Sequence, residues 1–190
     1  MSGDERVKSM NKYLKEVSDK HNQFHSYKFR DEFVVKYSWA IPNDEAIRTI
    51  CKYSPLVEIG AGTGYWGMLI KNAGGKILCF DKFNDGNNPY QHKVQWSTIY
   101  NGDESILNKF HRSTSLFLCW PPYNDSMAIN CIKNFKGKHL VYIGESGWGC
   151  TANDEFFDEL WNAWEKIECI DIPRWSGIND ALYVYKRKQI

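Results

Sequence analysis

The stretch Leu56-Val57-Glu58-Ile59-Gly60-Ala61-Gly62-Thr63-Gly64-Tyr65-Trp66-Gly67 decides how this chain is read. Residues 56–59 form a short apolar run, the length of a buried strand, and a helical pattern follows from 65 to 73. Between them the backbone turns on alternating glycines. A glycine-rich turn from strand to helix brings bare N–H groups and the positive helix end close to a ligand, where a Cβ would collide or forbid the dihedrals. Glu58, Gly60, Ala61, Gly62, Thr63 and Gly64 are therefore candidate ligand-binding residues. Asp81 closes the next apolar run, 76–80. In a strand-helix-strand unit the acid ending strand two lies beside the first turn, where its carboxylate can accept both hydroxyls of a ribose. The two elements together predict a cofactor that contains adenosine.

Outward from this unit, short apolar runs alternate with helical patterns. Strands are expected at 56–59, 76–80, 95–100, 115–119 and 139–143, with helices at 65–73, 103–110, 125–135 and 154–165. Such alternation implies crossovers and a doubly wound, mostly parallel α/β sheet. The runs 167–172 and 181–185 are joined by only eight residues containing Pro, Gly, Asn and Asp, too few for a helical crossover. They must pair antiparallel, which makes a seven-stranded sheet with an antiparallel last strand. Upstream, helices are expected over 4–18, 27–37 and 44–53, the last capped by Asn43 after the break at Pro42. The organisation is one domain, 1–190, with an N-terminal helical cap (1–54) before a Rossmann-like core (55–190).

Net charge is +1, so no global field draws the protein to nucleic acid or an anionic membrane. The basic run Lys186-Arg187-Lys188 reads as a solvated tail. The six cysteines are scattered, without a C-x-x-C pair or a histidine at ligand spacing, which predicts free thiols and no metal site. The first twenty residues are polar and no apolar run is long enough to span a bilayer, so a soluble, cytoplasmic protein is expected. An aromatic share of 15%, with eight Trp, points to an aromatic-lined pocket as well as a core.

The same glycine stretch also parses as Gly62-Thr63-Gly64-Tyr65-Trp66-Gly67, the dinucleotide fingerprint G-x-G-x-x-G, so an NAD(P)-dependent oxidoreductase is the alternative. Glu58 places an acid at the turn, poor for a pyrophosphate but suited to a ligand's ammonium group. A long segment precedes the first strand, and the closing antiparallel pair is foreign to the six-stranded dinucleotide pattern.

The Glu58-x-Gly60-x-Gly62-x-Gly64 signature, Asp81 and the terminal antiparallel strand resemble the class I S-adenosylmethionine-dependent methyltransferases, over residues 55 to about 188. The resemblance implies S-adenosylmethionine as cofactor and S-adenosylhomocysteine as product. It places the glycine turn under the methionine moiety, Asp81 on the ribose and the end of strand four facing the transferable methyl. That end, Leu118-Cys119-Trp120-Pro121-Pro122-Tyr123, is similar to the motif of a polar residue, Pro-Pro and an aromatic found in methyltransferases of amide and exocyclic amino nitrogens. In those enzymes the polar side chain and a proline carbonyl hold the amino hydrogens while the aromatic stacks on the acceptor. Trp120 departs from the pattern and leaves only backbone carbonyls as acceptors.

Because ligands sit beyond the carboxyl ends of the strands, Glu145 after strand five and Trp39 before the helix that leads into strand one are expected to border the pocket. Direct displacement at a sulfonium needs alignment, exclusion of water and removal of any acceptor proton. The sequence thus predicts a methyltransferase with a planar or aromatic acceptor (a small molecule, a side chain or a single base) bound among Trp120, Tyr123 and Trp148. Glu145 is the candidate base, and Trp39 and Trp120 lie at the cofactor. A third reading is a catalytically silent cofactor-binding module acting through a partner.

Overall fold

A computed structural model describes residues 13, 16, 27–84, 89, 90, 92, 94–147 and 149–188. The helix expected over 4–18 falls mostly outside them; Tyr13 and Glu16 are both helical. The described elements begin with α1 (Tyr27–Lys36) and α2 (Asp44–Lys52). Asn43 starts α2 as expected, its side chain accepting from the Ala46 amide at 2.8 Å, with Asp44 and Glu45 favourably placed in the first turn.

The core follows as β1 (Leu56–Ile59), α3 (Tyr65–Asn72), β2 (Ile77–Asp81), β3 (Ile99–Asn101), a 3-10 helix (Glu104–Lys109) and β4 (Ser115–Cys119). After it come α4 (Met127–Asn134), β5 (His139–Gly144), α5 (Asp154–Ala163), β6 (Trp164–Asp171) and β7 (Ala181–Arg187). One seven-stranded sheet runs β3-β2-β1-β4-β5-β7-β6. Strands β1 to β5 are mutually parallel, and β7 is antiparallel to both β5 and β6. This is the doubly wound α/β sheet with an antiparallel last strand.

Period-two alternation divides the core between the two faces. Leu56, Phe117, Val141, Ile143, Leu182 and Val184 pack with α1, α2 and α3 on one face. Val57, Ile59, Leu116, Leu118, Leu140 and Tyr142 pack with α4 and α5 on the other. Helix α3 lies close on the sheet because Gly67 lacks a Cβ, which would collide with the Cys79 sulfur. Gly67 thus serves helix-strand packing.

Several expectations are corrected. The third strand is confined to Ile99–Asn101 rather than starting at 95, and the helix expected over 103–110 is a 3-10 helix. Helix α5 stops at Ala163 because Trp164 is already extended, its ring buried beneath the Arg187 guanidinium at 4.2 Å. Arg187 is accordingly no part of a solvated tail: it also donates to the carbonyls of Ile132 and Phe135, at 3.2 and 2.8 Å. All six cysteines are free thiols. Among the described residues, no helix is long and apolar enough to cross a membrane.

Candidate functional site

A cavity of about 570 Å³ opens beyond the carboxyl ends of β1, β2 and β4, within the size range of small-molecule sites. Its floor is the turn after β1. Gly60, Gly62 and Gly64 have φ of 75°, 57° and 72°, the left-handed region that glycine enters without a steric penalty. Gly62 carries a second requirement: a Cβ there would approach the His92 ring to 2.9 Å. The expected meeting of turn and acid is present. Asp81, at the end of β2, accepts the Gly62 amide at 2.8 Å on one oxygen and the Phe83 amide at 2.9 Å on the other. Each carboxylate oxygen keeps a lone pair for a further donor.

Glu58 lines the same cavity from beneath α3 and is 1% exposed, with its Oε2 atom lacking a hydrogen-bond partner. Burial pushes its carboxyl up to about 8, opposed by the neighbouring Cys79 thiol, so the neutral form prevails at pH 7. The negative charge expected at the turn is therefore largely suppressed in this state. Thr63 is buried, and its hydroxyl donates to the Tyr37 carbonyl.

That bond is one of four that fasten the end of α1 and the residues after it beside the cavity. The Trp96 indole donates to the Lys36 carbonyl at 2.6 Å, the Tyr13 hydroxyl to Ser38 at 3.0 Å and the Trp175 indole to Trp39 at 3.0 Å. Trp39 is thereby held on the cavity wall, stacked on Trp120 with ring centroids 5.1 Å apart and planes 13° from parallel.

Strand β4 ends in strained backbone. Trp120 has a φ of 53°, a conformation that costs a bulky residue about 1–2 kcal/mol and clusters at functional sites, whereas Asn124, also at 53°, enters that region readily. The connection is pinned from β5 and its loop. The Trp120 amide donates to Ile143, the Ala152 amide to the Pro121 carbonyl, and the Asn124 amide to Ala152, at 2.8, 3.1 and 2.8 Å. Tyr123 lines the cavity mouth at 69% exposure. Trp148, expected beside it, lies outside the described residues.

Glu145 is not among the residues that line the cavity. It is buried, and both carboxylate oxygens are engaged by backbone: Oε2 accepts the Cys150 amide at 2.7 Å and Oε1 the Asn179 amide at 2.8 Å. Its geometry is that of a clamp between two loops, which removes the basis for expecting it to act as a base. Two residues that sequence reasoning did not single out are tied to the cavity wall. His92 lies against Gly62, and burial lowers its pKa and favours the neutral imidazole. Asp180 binds the Trp120 indole at 2.8 Å. A lone histidine in a polar loop and an acid in a Pro/Gly/Asn-containing turn carry no local signal of such contacts.

No protein-family model matches the chain, and no curated protein is matched by its sequence. Among solved structures it is similar to MtNAS in complex with MTA and tNA, with a TM-score of 0.52 and 10% identity over 97% of this chain and 70% of that one. A variant of MtNAS in complex with S-adenosylmethionine gives a TM-score of 0.50 and 11% identity over 96% and 74% of the two chains. The N-methyltransferase NodS from Bradyrhizobium japonicum, in complex with S-adenosyl-L-homocysteine, gives 0.49 and 17% over 76% and 87%. The fold is shared; the sequences are not. The two MtNAS likenesses support the architecture alone.

Proposed function

We propose that the chain is an S-adenosylmethionine-dependent methyltransferase acting on a planar or aromatic acceptor. The observation that carries this reading is the bond between the Gly62 amide and the Asp81 carboxylate at the edge of the cavity. It unites the glycine turn and the strand-two acid at one point, where an adenosyl ligand would need both. The order of the sheet, with β7 reversed between β5 and β6, sets the chain apart from the six-stranded parallel dinucleotide domain. A solved structure of similar fold that carries S-adenosylmethionine supports the same choice.

In this reading the spare lone pairs of Asp81 accept from the ribose hydroxyls. The backbone of Gly60, Ala61, Gly62, Thr63 and Gly64 runs under the amino-acid arm, and Glu58 lies beneath that turn. The cofactor supplies an electrophilic methyl group on a sulfonium. Trp39 and Trp120 exclude water from that end of the cavity, and Tyr123 stacks on the acceptor at the mouth. Where the acceptor loses a proton, Glu145 is not the base, because both its oxygens are engaged by backbone amides. The chemistry fits a small molecule, an exposed side chain or a single unstacked base.

Calorimetry tests the proposal. Micromolar binding of S-adenosylhomocysteine, with none of NADH, is expected; the reverse pattern would favour an oxidoreductase. Screening small metabolites, peptides and nucleic acids with methyl-labelled cofactor then seeks the acceptor. Tight cofactor binding with no transfer to any of them would favour the silent module.

A further inference from the structure

The strained Trp120 is held from three sides. Its amide donates to Ile143, its ring stacks on Trp39, and its indole Nε1 donates to Asp180 Oδ2 at 2.8 Å. Asp180 immediately precedes β7 and is 1% exposed, yet its second oxygen, Oδ1, has no hydrogen-bond partner. The adjacent Arg174 directs its guanidinium elsewhere, to the backbone carbonyl of Asp180 at 2.8 Å and to the Asp171 carboxylate at 2.7 Å. Burial raises the pKa of this carboxyl, opposed by the Trp120 indole and by the nearby Arg174 charge, both of which favour the carboxylate. The Trp120 ring lines the cavity while Asp180 does not, so the indole carries the carboxylate's influence to the cavity side.

An indole whose N–H is donated to a carboxylate becomes richer in electrons, and the indole face is the best aromatic partner for a cation. The wall already engages one: the Arg30 guanidinium stands 5.2 Å from the centre of the Trp39 ring. That positive charge is partly answered by Asp31 at 3.4 Å.

We propose that Asp180 is a positioning residue that, through the Trp120 indole, makes the Trp39–Trp120 wall selective for a cation. The cavity then prefers the positively charged sulfonium of S-adenosylmethionine to the neutral thioether of S-adenosylhomocysteine. This inference rests on the cofactor reading above. On transfer, the bond from sulfur to methyl breaks, its electron pair stays on sulfur, and the acceptor's pair forms the new bond to carbon. The positive charge leaves the sulfur, the attraction to the wall is lost, and the product is released more readily than the cofactor.

The test is calorimetry of the full chain with both ligands, for the native protein and for Asp180→Asn, Trp120→Phe and Trp120→Leu. Asn keeps an acceptor for the indole and the shape of the side chain, so Asp180→Asn retains the fold, which its melting temperature verifies. The ratio of S-adenosylmethionine to S-adenosylhomocysteine affinity is expected to fall about threefold in Asp180→Asn and about fivefold or more in Trp120→Leu. S-adenosylhomocysteine affinity in Asp180→Asn stays within about twofold of native, because only the charge-dependent part is lost. In a Trp120→Phe background, Asp180→Asn has no further effect on the ratio, since the indole N–H that couples the two is gone. Equal losses for both ligands, or an unchanged ratio, overturn the inference while leaving the cofactor reading in place. Binding of neither ligand to the native protein overturns that reading and this inference with it.

Discussion

The turns that follow β1 and β5 are both rich in glycine, and each has a carboxylate beside it. After β1, the Gly62 amide is turned to Asp81, whose oxygens keep room for more donors, and Glu58 below has an oxygen without a partner. After β5, both Glu145 oxygens are spent on the amides of Cys150 and Asn179. The glycines differ in the same sense. Gly62 borders the cavity, whereas a Cβ on Gly149 would collide with Glu145 itself. A carboxylate whose bonds close on its own loops stabilises the fold; one with spare capacity at a cavity is available to a ligand.

The contrast is most exposed at Asp81. On the proposed reading, Asp81→Ala removes acceptors for two ribose hydroxyls and is expected to weaken S-adenosylhomocysteine binding by about a hundredfold in calorimetry. A change below about threefold would place the ligand elsewhere. Glu58 offers the next largest effect, read as stability against pH. Its folded-state pKa is raised to about 8 from an ordinary 4.5, so the folded protein holds the proton more tightly than the unfolded chain. The stabilisation is complete below the ordinary value and is lost as pH rises towards 8. Between pH 5 and 7, native stability should fall relative to Glu58→Gln by on the order of 1 kcal/mol per pH unit. Parallel melting curves for the two proteins would show that the carboxyl is not held neutral.

For the second turn, Glu145→Gln replaces one acceptor by a donor facing a backbone N–H, and a loss of about 1–3 kcal/mol in denaturant stability is expected. Cofactor affinity and the pH dependence of turnover should be unchanged. A variant as stable as the native protein but inactive would restore Glu145 to the chemistry. Tyr123→Ala should show the smallest effect on stability, within about 0.5 kcal/mol because the ring is exposed, while lowering turnover of whichever acceptor the screen finds. Undiminished turnover would remove Tyr123 from the acceptor site.

Much of the frame is legible in the sequence, for a physical reason. Strands β1 and β4 begin and end where the sequence pattern places them, because buried parallel strands are largely apolar and are bounded by turn residues. The antiparallel end follows from a connection too short for a crossover. Where tertiary packing decides, local pattern misleads: Trp164 leaves the helical pattern to lie under Arg187, across the β6–β7 pairing. The meeting of the glycine turn with Asp81 is legible because both belong to one strand-helix-strand unit, whose geometry is nearly fixed by spacing. The rest depends on contacts between distant positions. Glu145 meets Asn179 across 34 residues and Trp120 meets Asp180 across 60, separations over which no periodicity carries information.

A crystal structure of the chain grown with S-adenosylhomocysteine tests the central claim most directly. The account predicts ligand density over Gly60–Gly64, with both ribose hydroxyls within hydrogen-bonding distance of the Asp81 carboxylate. Density at another site, or a cavity still filled by side chains at saturating ligand, would contradict it.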